Sequence, residues 1–363
     1  MAVDSLPVHG GQLRDIAERF QVAEESLLDF SVSISPIPPK GTLIEALCES
    51  MRNREVLTQY PDSEYRDLKN AIAAYARIER GSICVANGIM PLLDAALRAL
   101  GLRRCLILVP AFGEYQRVFK SRGVEGPTLM LCEDNNFVLS LDLILKAAIA
   151  SRADAVLLAN PHSPSGSLTE VMVLNQLRRT LSRLGIALIL DEAFIDFCPE
   201  FSVSESAANE SGLVVLRSLT KFFAIPGMRV AYAVAHPEVR AMMESILPLW
   251  PVDSLAASAA QLALLDKANI CERQQANARE RQWLSEQLIS LGCRVFPSGA
   301  NYLLIKRPGK IIGFEIWRRL IIEHRIVLRN CGTFDGLTDG HFRIAVRDHL
   351  ANLALITSLA RLF

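Results

Sequence analysis

Residues 218–229 contain the three residue types needed for imine chemistry beside a phosphate. Lys221 comes just after an apolar run, residues 212–216, that predicts a buried strand. Burial or a neighbouring cation lowers the pKa of a lysine, and the neutral amine can then condense with an aldehyde. Ser218 and Arg229 supply a hydroxyl and a forked guanidinium, which together suit a phosphate dianion. The segment therefore predicts a Schiff-base lysine next to a phosphate site.

Two polar residues follow predicted strands earlier in the chain. Asp191 comes directly after the apolar run 186–190, and Asn160 follows the run 155–159. A carboxylate at the end of a buried strand is costly unless it meets a cation, so Asp191 indicates a bound positive charge. Two prolines and a glycine within residues 160–166 predict a rigid turn that holds Asn160 at the end of its strand.

Both stretches resemble motifs of one known family. Residues 218–229 are similar to the active-site lysine motif of the fold-type I pyridoxal-phosphate (PLP) enzymes, the aspartate aminotransferase superfamily. Residues 160–166 are close to its Asn-Pro-x-x-Pro-Thr/Ser-Gly pattern, and the resemblance covers nearly the whole chain. It implies PLP as cofactor and an α/β fold, with a large domain built on a mostly parallel seven-stranded sheet and a small α/β C-terminal domain.

The resemblance assigns a role to each of these residues. Lys221 would hold the aldehyde carbon of PLP, and Asp191 would pair with the protonated pyridine nitrogen, which makes the ring a better electron sink. Asn160 would donate a hydrogen bond to the phenolic oxygen of the cofactor. Ser218 and Arg229 would bind its phosphate.

Further cofactor contacts are implied by matching stretches nearer the N-terminus. A tight turn before a helix start presents backbone N–H groups to a phosphate, and Gly88, Ile89 and Met90 stand at this position. Phe112 follows another apolar strand and would stack on the pyridine ring. Tyr60, within a Tyr-Pro-Asp sequence, would reach the cofactor phosphate of a neighbouring subunit, which implies a homodimer with a shared active site.

Two arginines near the C-terminus are candidate substrate ligands. Arg343 lies within a predicted strand, where a bidentate contact with a carboxylate would justify its burial. In the family, the arginine of this Phe-Arg-Ile-Ala pattern binds the substrate α-carboxylate. Arg329 resembles the second basic residue of members that act on phosphorylated substrates. A structural ion pair is the alternative interpretation for both residues.

The N-terminal residues are similar to one branch of the family. The sequence His9-Gly10-Gly11, followed by Leu-Asp-Phe-Ser at residues 28–31, is similar to the opening of the cobalamin-pathway threonine-phosphate decarboxylases. His9 and Gly10 are thereby candidate substrate contacts. Ser33 and Ser35 stand in the segment that faces the substrate, where that branch usually has two asparagines. These shorter side chains imply a larger pocket, which leaves room for a different amino acid.

The reaction stays open between two alternatives. The arm residues favour decarboxylation of threonine O-3-phosphate to aminopropanol phosphate, for the nucleotide loop of cobalamin. The alternative is an aminotransferase of the histidinol-phosphate type, which shares almost all the cofactor residues. Phe194 stands where many aminotransferases carry a tyrosine, and phenylalanine there resembles the decarboxylase branch. A third hypothesis is a PLP-sensing regulator without catalysis. The chain has only a short arm and no basic face that could bind DNA, which argues against it.

Composition and pattern bound the remaining properties. The 363 residues are 50% hydrophobic, and the 39 basic and 39 acidic residues cancel, which favours a small-molecule substrate over nucleic acid or a membrane surface. The eight cysteines show neither zinc nor disulfide spacing, so we expect no metal. Without a signal-peptide pattern or a run of ~20 apolar residues, we expect a cytoplasmic protein. The predicted parts are an arm, residues 1–40, that packs with the small domain; the large domain, residues 41–236; and the small domain, residues 237–363.

Overall fold

The computed structural model describes residue 7 and residues 9–53, 55–307 and 313–362. The helices are α1 Leu13–Phe20, α2 Gly41–Arg52, α3 Glu55–Thr58, α4 Arg66–Ala76, α5 Ile89–Ala99, α6 Glu114–Arg122, α7 Leu141–Ala150, α8 Val171–Arg183, α9 Ser204–Ala207, α10 Pro237–Ile246, α11 Ser254–Leu265, α12 Lys267–Ser290, α13 Gly313–His324 and α14 His349–Leu359. The strands are β1 Leu28–Asp29, β2 Ile83–Ala86, β3 Cys105–Val109, β4 Thr128–Met130, β5 Ala155–Ala159, β6 Ala187–Asp191, β7 Leu213–Ser218, β8 Ala231–Ala235, β9 Arg294–Val295, β10 Tyr302–Lys306, β11 Ile326–Val327, β12 Arg329–Asn330 and β13 His341–Ala345. None of these helices is both long enough and apolar enough to span a membrane.

Seven strands form the large sheet, in the order β2-β8-β7-β6-β5-β3-β4. Only β8 runs antiparallel to its neighbours, so the predicted mostly parallel seven-stranded sheet is confirmed. Its central strands are nearly continuous apolar runs because helices cover both faces of a parallel sheet. Along β6, Leu188 and Leu190 join one apolar cluster and Ile189 joins the other, as the alternation of side chains requires. The polar residues Asp191 and Ser218 occur where β6 and β7 end.

Part of the arm packs with the C-terminal part of the chain. Strand β1 pairs in parallel with β11, and Ile16 and Phe30 are buried in one cluster with Trp317 and Leu288. A separate four-stranded antiparallel sheet has the order β12-β13-β10-β9. Helices α10 and α11, however, pack on α5 and α4 beside the large sheet. The boundary at residues 236 and 237 stays a prediction.

A buried ionic cluster lies behind the carboxyl ends of β6 and β7. Arg217, Asp196 and Glu192 are each at most 3% exposed, and the Arg217 guanidinium bonds Asp196 and lies 4.0 Å from Glu192. Burial opposes the charge of Arg217, but Asp196 and Glu192 outweigh this effect and raise its pKa. Burial also raises the pKa of Glu192, although Arg217 lowers it in part. One arginine therefore compensates two buried carboxylates.

Replacing Arg217 with methionine should destabilise the fold strongly. The variant leaves two carboxylates buried without their cation, and breaking such a pair costs about 3–5 kcal/mol. Urea unfolding followed by circular dichroism measures this loss. The control is Arg14→Met, which removes an exposed pair with Glu18 and should change little. Equal unfolding midpoints for the two variants would show that the cluster does not stabilise the fold.

Candidate active site

A cleft of about 580 Å³ opens at the carboxyl ends of the parallel strands. Strands β3, β5, β6 and β7 end at this edge of the sheet, which is where ligands bind in open α/β folds. The structure brings together at this cleft twelve of the residues predicted from the sequence: His9, Gly10, Ser33, Gly88, Ile89, Met90, Phe112, Asp191, Ser218, Lys221, Arg229 and Arg343. Four predicted residues, Tyr60, Asn160, Ser35 and Arg329, do not line it.

Lys221 lies on an irregular turn, residues 219–224, directly after β7. Burial lowers the pKa of Lys221 to about 8, and the nearby cations Arg343 and Arg229 act in the same direction. Asp191 partly opposes the shift. A substantial fraction of the amine is therefore neutral near physiological pH, as a nucleophile requires.

Asp191 is buried at the last position of β6. Its carboxylate accepts a hydrogen bond from the Tyr115 hydroxyl at 2.5 Å and from the Ala193 backbone N–H at 2.8 Å. Burial nevertheless raises the pKa of Asp191, against the opposing effects of Tyr115, Ala193 and Lys221. A cation bound beside this carboxylate would offset the cost of burying it.

The opposite end of the cleft is suited to an anion. Helix α5 begins at Ile89, and no side chain in the described part of the protein caps its first turn. Gly88 precedes the helix with a φ of +96°, and a Cβ atom there would lie 3.2 Å from the Arg229 Nη2 atom. The Ser218 and Thr220 hydroxyls lie 2.7 Å apart at the same cleft. Free N–H groups, the helix dipole, hydroxyls and a guanidinium form a phosphate site.

These groups fit PLP, which carries an aldehyde, a basic ring nitrogen and a phosphate. A nucleophilic amine stands at Lys221, an uncompensated buried carboxylate at Asp191, and a phosphate cradle at the start of α5. Phe112 lines the same cleft, so a flat ring has an aromatic side chain beside it.

Comparison with known proteins decides the family. The model of the family described as "Aminotransferase class I and II" matches residues 27–356. The chain belongs to this family. Its members depend on PLP, so the chain is a PLP-dependent enzyme, and the family and cofactor predicted from the lysine segment are confirmed.

The similar proteins include decarboxylases and aminotransferases. The threonine-phosphate decarboxylase of Salmonella typhimurium is 34% identical, over 97% of this chain and 95% of that protein. The structure of the histidinol-phosphate aminotransferase from Clostridium acetobutylicum is 30% identical, with a TM-score of 0.85 over 93% of this chain and 99% of that one. The L-threonine-O-3-phosphate decarboxylase from Porphyromonas gingivalis, at 23% identity and a TM-score of 0.80 over 92% of this chain and 98% of that one, shows the same fold.

Asn160 does not face the cleft in this member of the aminotransferase family. Its Oδ1 atom accepts a hydrogen bond from the Thr169 N–H at 2.9 Å. Its Nδ2 group donates to the Thr169 and Phe201 carbonyls at 3.3 and 3.4 Å. Ser163, in the same turn, lines the cleft instead. The role of Asn160 as a donor to the cofactor stays a prediction.

Three other predicted residues lie outside the cleft. Tyr60 is 78% exposed and stacks on Trp250 with ring centres 4.0 Å apart. Ser35 is buried behind the cleft, where its backbone N–H donates to the Lys221 carbonyl at 3.0 Å. Arg329 lies opposite Arg343 in the register of β12 and β13, and its guanidinium donates to the Thr333 hydroxyl at 3.0 Å.

Two residues of the arm, His9 and Gly10, line the cleft. His9 Nε2 lies 3.0 Å from a Glu114 carboxylate oxygen, and the imidazole meets the Phe112 ring edge-on at 6.0 Å. At Gly10, a Cβ atom would come within 2.3 Å of the Ser31 carbonyl oxygen, so this close approach requires glycine. The close packing of Gly10 on the Ser31 backbone thus explains how His9 and Gly10 come to lie at the cleft.

Several cleft residues were missed from the sequence. They are Ser31, Glu114, Tyr115, Arg117, Ser163 and Thr220. Glu114 and Tyr115 lie two and three residues after the predicted aromatic residue Phe112, so their closeness to a strand end was a usable signal. No sequence signal connects Tyr115 with Asp191, which lies 76 residues further along the chain.

Removing the Arg343 charge should raise the pKa of Lys221. Arg343 is the largest charged contributor to the lowered value of about 8, so Arg343→Met should move the pKa upward, towards the ordinary 10.5. The measurement is the rate at which apoenzyme captures PLP, followed by visible absorbance as a function of pH. Capture requires the neutral amine, so its midpoint should shift to higher pH.

Arg117→Met is the matched control for this pH profile. Arg117 also lines the cleft but is not among the charges that shift the pKa of Lys221. Its midpoint should equal that of the native chain. An unchanged midpoint in the Arg343 variant would contradict the electrostatic link.

Proposed function

We propose that this enzyme decarboxylates L-threonine O-3-phosphate, or a closely related amino acid, to aminopropanol phosphate for cobalamin biosynthesis. The observation that carries the proposal is the Arg343 guanidinium, which lines the cleft together with His9 of the arm, in addition to the phosphate cradle at α5. The similarity to the decarboxylase of Salmonella typhimurium supports the same substrate class.

Arg343 is suited to bind a carboxylate. Its guanidinium donates to the Ser31 carbonyl at 3.3 Å and lies 5.1 Å from the centre of the Tyr302 ring. Within the part of the chain that the structure describes, it forms no ion pair, so the alternative of a structural ion pair finds no support there. A bidentate contact with the substrate carboxylate would compensate this charge.

A second anionic group on the substrate would suit the polar groups near Arg343. Burial lowers the pKa of Arg329 to about 10, and Arg343 acts in the same direction. A dianion bound near both arginines would reverse the effect. His9 adds an imidazole from the arm, and the buried Ser33 hydroxyl has no hydrogen-bond partner among the described residues. A phosphorylated amino acid carries the required carboxylate and phosphate, whereas histidinol phosphate carries no carboxylate.

The roles of the protein groups follow from their positions. PLP, when bound, supplies an electron sink for negative charge that develops at the substrate Cα. Asp191 keeps the ring nitrogen protonated, and Arg343 orients the carboxylate, which selects the bond to be broken. When the Cα–carboxylate bond breaks, CO2 leaves, and the Lys221 side chain in its protonated ammonium form would deliver a proton to Cα and become the neutral amine. Phe194 lines the cleft without a hydroxyl and packs edge-on against Tyr302 at 4.9 Å.

A product assay tests the proposed reaction. The PLP-loaded enzyme receives L-threonine O-3-phosphate, first alone and then with 2-oxoglutarate. We expect CO2 and aminopropanol phosphate, identified by mass spectrometry, without the keto acid, and no product from Lys221→Ala. Turnover that depends on 2-oxoglutarate would replace the decarboxylase with an aminotransferase.

The second candidate is a histidinol-phosphate aminotransferase. The 30% identity with the Clostridium acetobutylicum structure favours this candidate. The same cofactor-binding residues would serve either reaction. Histidinol phosphate with 2-oxoglutarate is the discriminating substrate pair. Formation of glutamate from this pair, without CO2 release from threonine phosphate, would support this candidate.

We further propose a homodimer in which Tyr60 completes the partner's site. The Tyr60 ring is 78% exposed although it stacks on Trp250, and the Trp250 indole N–H donates to the Pro61 carbonyl at 3.1 Å. These contacts fix the Tyr60 side chain at the surface, where a second copy of the chain could bind it.

Mixed dimers test the sharing of the active site. Tyr60→Ala and Lys221→Ala should each lower activity as homodimers, because each lacks one residue in both sites. After unfolding and refolding together, mixed dimers contain one intact site, so activity should exceed the sum of the separate variants. Activity equal to that sum would show that the sites are not shared.

A further inference from the structure

Arg273 is a buried arginine outside the cleft that bonds two backbone carbonyls from distant parts of the chain. It extends from α12 and is 2% exposed. Its Nη1 group donates to the Phe222 carbonyl and its Nη2 group to the Pro38 carbonyl, each at 3.0 Å, while Nε bonds the Asn269 side chain. One planar guanidinium thus joins two segments that are far apart in the sequence.

The charge of Arg273 is buried without a carboxylate in contact. It forms no ion pair among the residues that the structure describes, and burial lowers its pKa to about 10. Burying a charged group in this way is costly, so the two carbonyl contacts must provide a compensating advantage. Those carbonyls belong to irregular segments, which have no neighbouring strand or helical turn to supply donors.

Both segments border the cleft. Phe222 directly follows Lys221 in the turn of residues 219–224. Pro38 belongs to the arm segment, which also places Ser33 in the cleft. Between these points the Ser35 N–H donates to the Lys221 carbonyl at 3.0 Å. The turn and the arm are therefore fixed to each other by three hydrogen bonds, two of which come from Arg273.

We propose that Arg273 is a positioning residue that clamps the Lys221 turn against the arm and thereby holds the amine at the cofactor site. Arg273 is not among the residues that line the active-site cleft. Without the clamp, the turn is free to move the amine away from Asp191, Arg229 and Arg343. The inference depends on the use of PLP by the family and not on which substrate the enzyme decarboxylates or transaminates.

Arg281 provides a matched control on the same helix. Its guanidinium also donates to two backbone carbonyls, those of Gly299 and Ala300, at 3.1 and 3.0 Å. These carbonyls belong to the loop before β10 and not to the lysine turn. Arg281→Gln therefore removes the same kind of contact without releasing Lys221.

The experiment compares Arg273→Gln with Arg281→Gln. We expect the Kd for PLP, measured by absorbance titration of apoenzyme, to rise about tenfold or more in the first variant, since two hydrogen bonds from a charged donor are lost. The pH midpoint of PLP capture should also rise, because an amine that leaves its buried site regains a higher pKa. Arg281→Gln should leave the Kd and the pH midpoint unchanged, even if it lowers Tm as much as Arg273→Gln does.

Chemical rescue separates positioning from general stability. A cleft of about 140 Å³, bordered by Lys40, Asp266 and Arg273, leads to the site of the guanidinium. Added methylguanidinium should therefore restore PLP affinity to Arg273→Ala. Arg273→Lys, which keeps the charge but cannot bridge both carbonyls, should retain a raised Kd, and it serves as the test variant should the others fail to fold. PLP affinity and capture midpoint equal to those of the native chain in Arg273→Gln or Arg273→Lys would overturn the proposal.

Discussion

The lowered pKa of the Lys221 amine is the constraint on which the cleft depends. Burial and two arginines favour the neutral amine, but the same burial penalises the Asp191 carboxylate nearby. The site therefore holds groups whose charges are poorly compensated until a ligand with complementary charges binds. PLP meets these requirements with one negative and one positive end. The arrangement is accordingly costly for the empty protein and favourable for the complex.

Sequence reasoning located the residues whose chemistry and strand-end position coincide. Asp191 ends β6, Lys221 follows β7 and Arg229 precedes the antiparallel strand β8, so their meeting at one edge of the sheet was predictable. The turn of residues 160–166 was less predictable. Ser163, and not Asn160, lines the cleft, because the Asn160 side chain bonds the Thr169 backbone instead, and a residue pattern does not specify that contact.

Contacts between distant segments account for the other differences. The Tyr115 hydroxyl meets Asp191 across 76 residues, and Arg273 reaches Pro38 across 235. Each depends on the three-dimensional arrangement of elements, which local periodicity does not encode. Even so, the mostly parallel seven-stranded sheet was predictable, because the resemblance to a known family implied it and apolar runs marked several of its strands. The elements were therefore more predictable than the contacts between their ends.

Helix α12 has a mechanical consequence. Its 24 residues span about 36 Å at 1.5 Å per residue. One end carries Arg273 behind the lysine turn, and the other places Leu284 and Leu288 in the apolar core shared with the arm. A continuous helix transmits a tilt at one end to the other as a rod does. Any rotation of the C-terminal core about the large sheet would therefore act on the base of the Lys221 side chain.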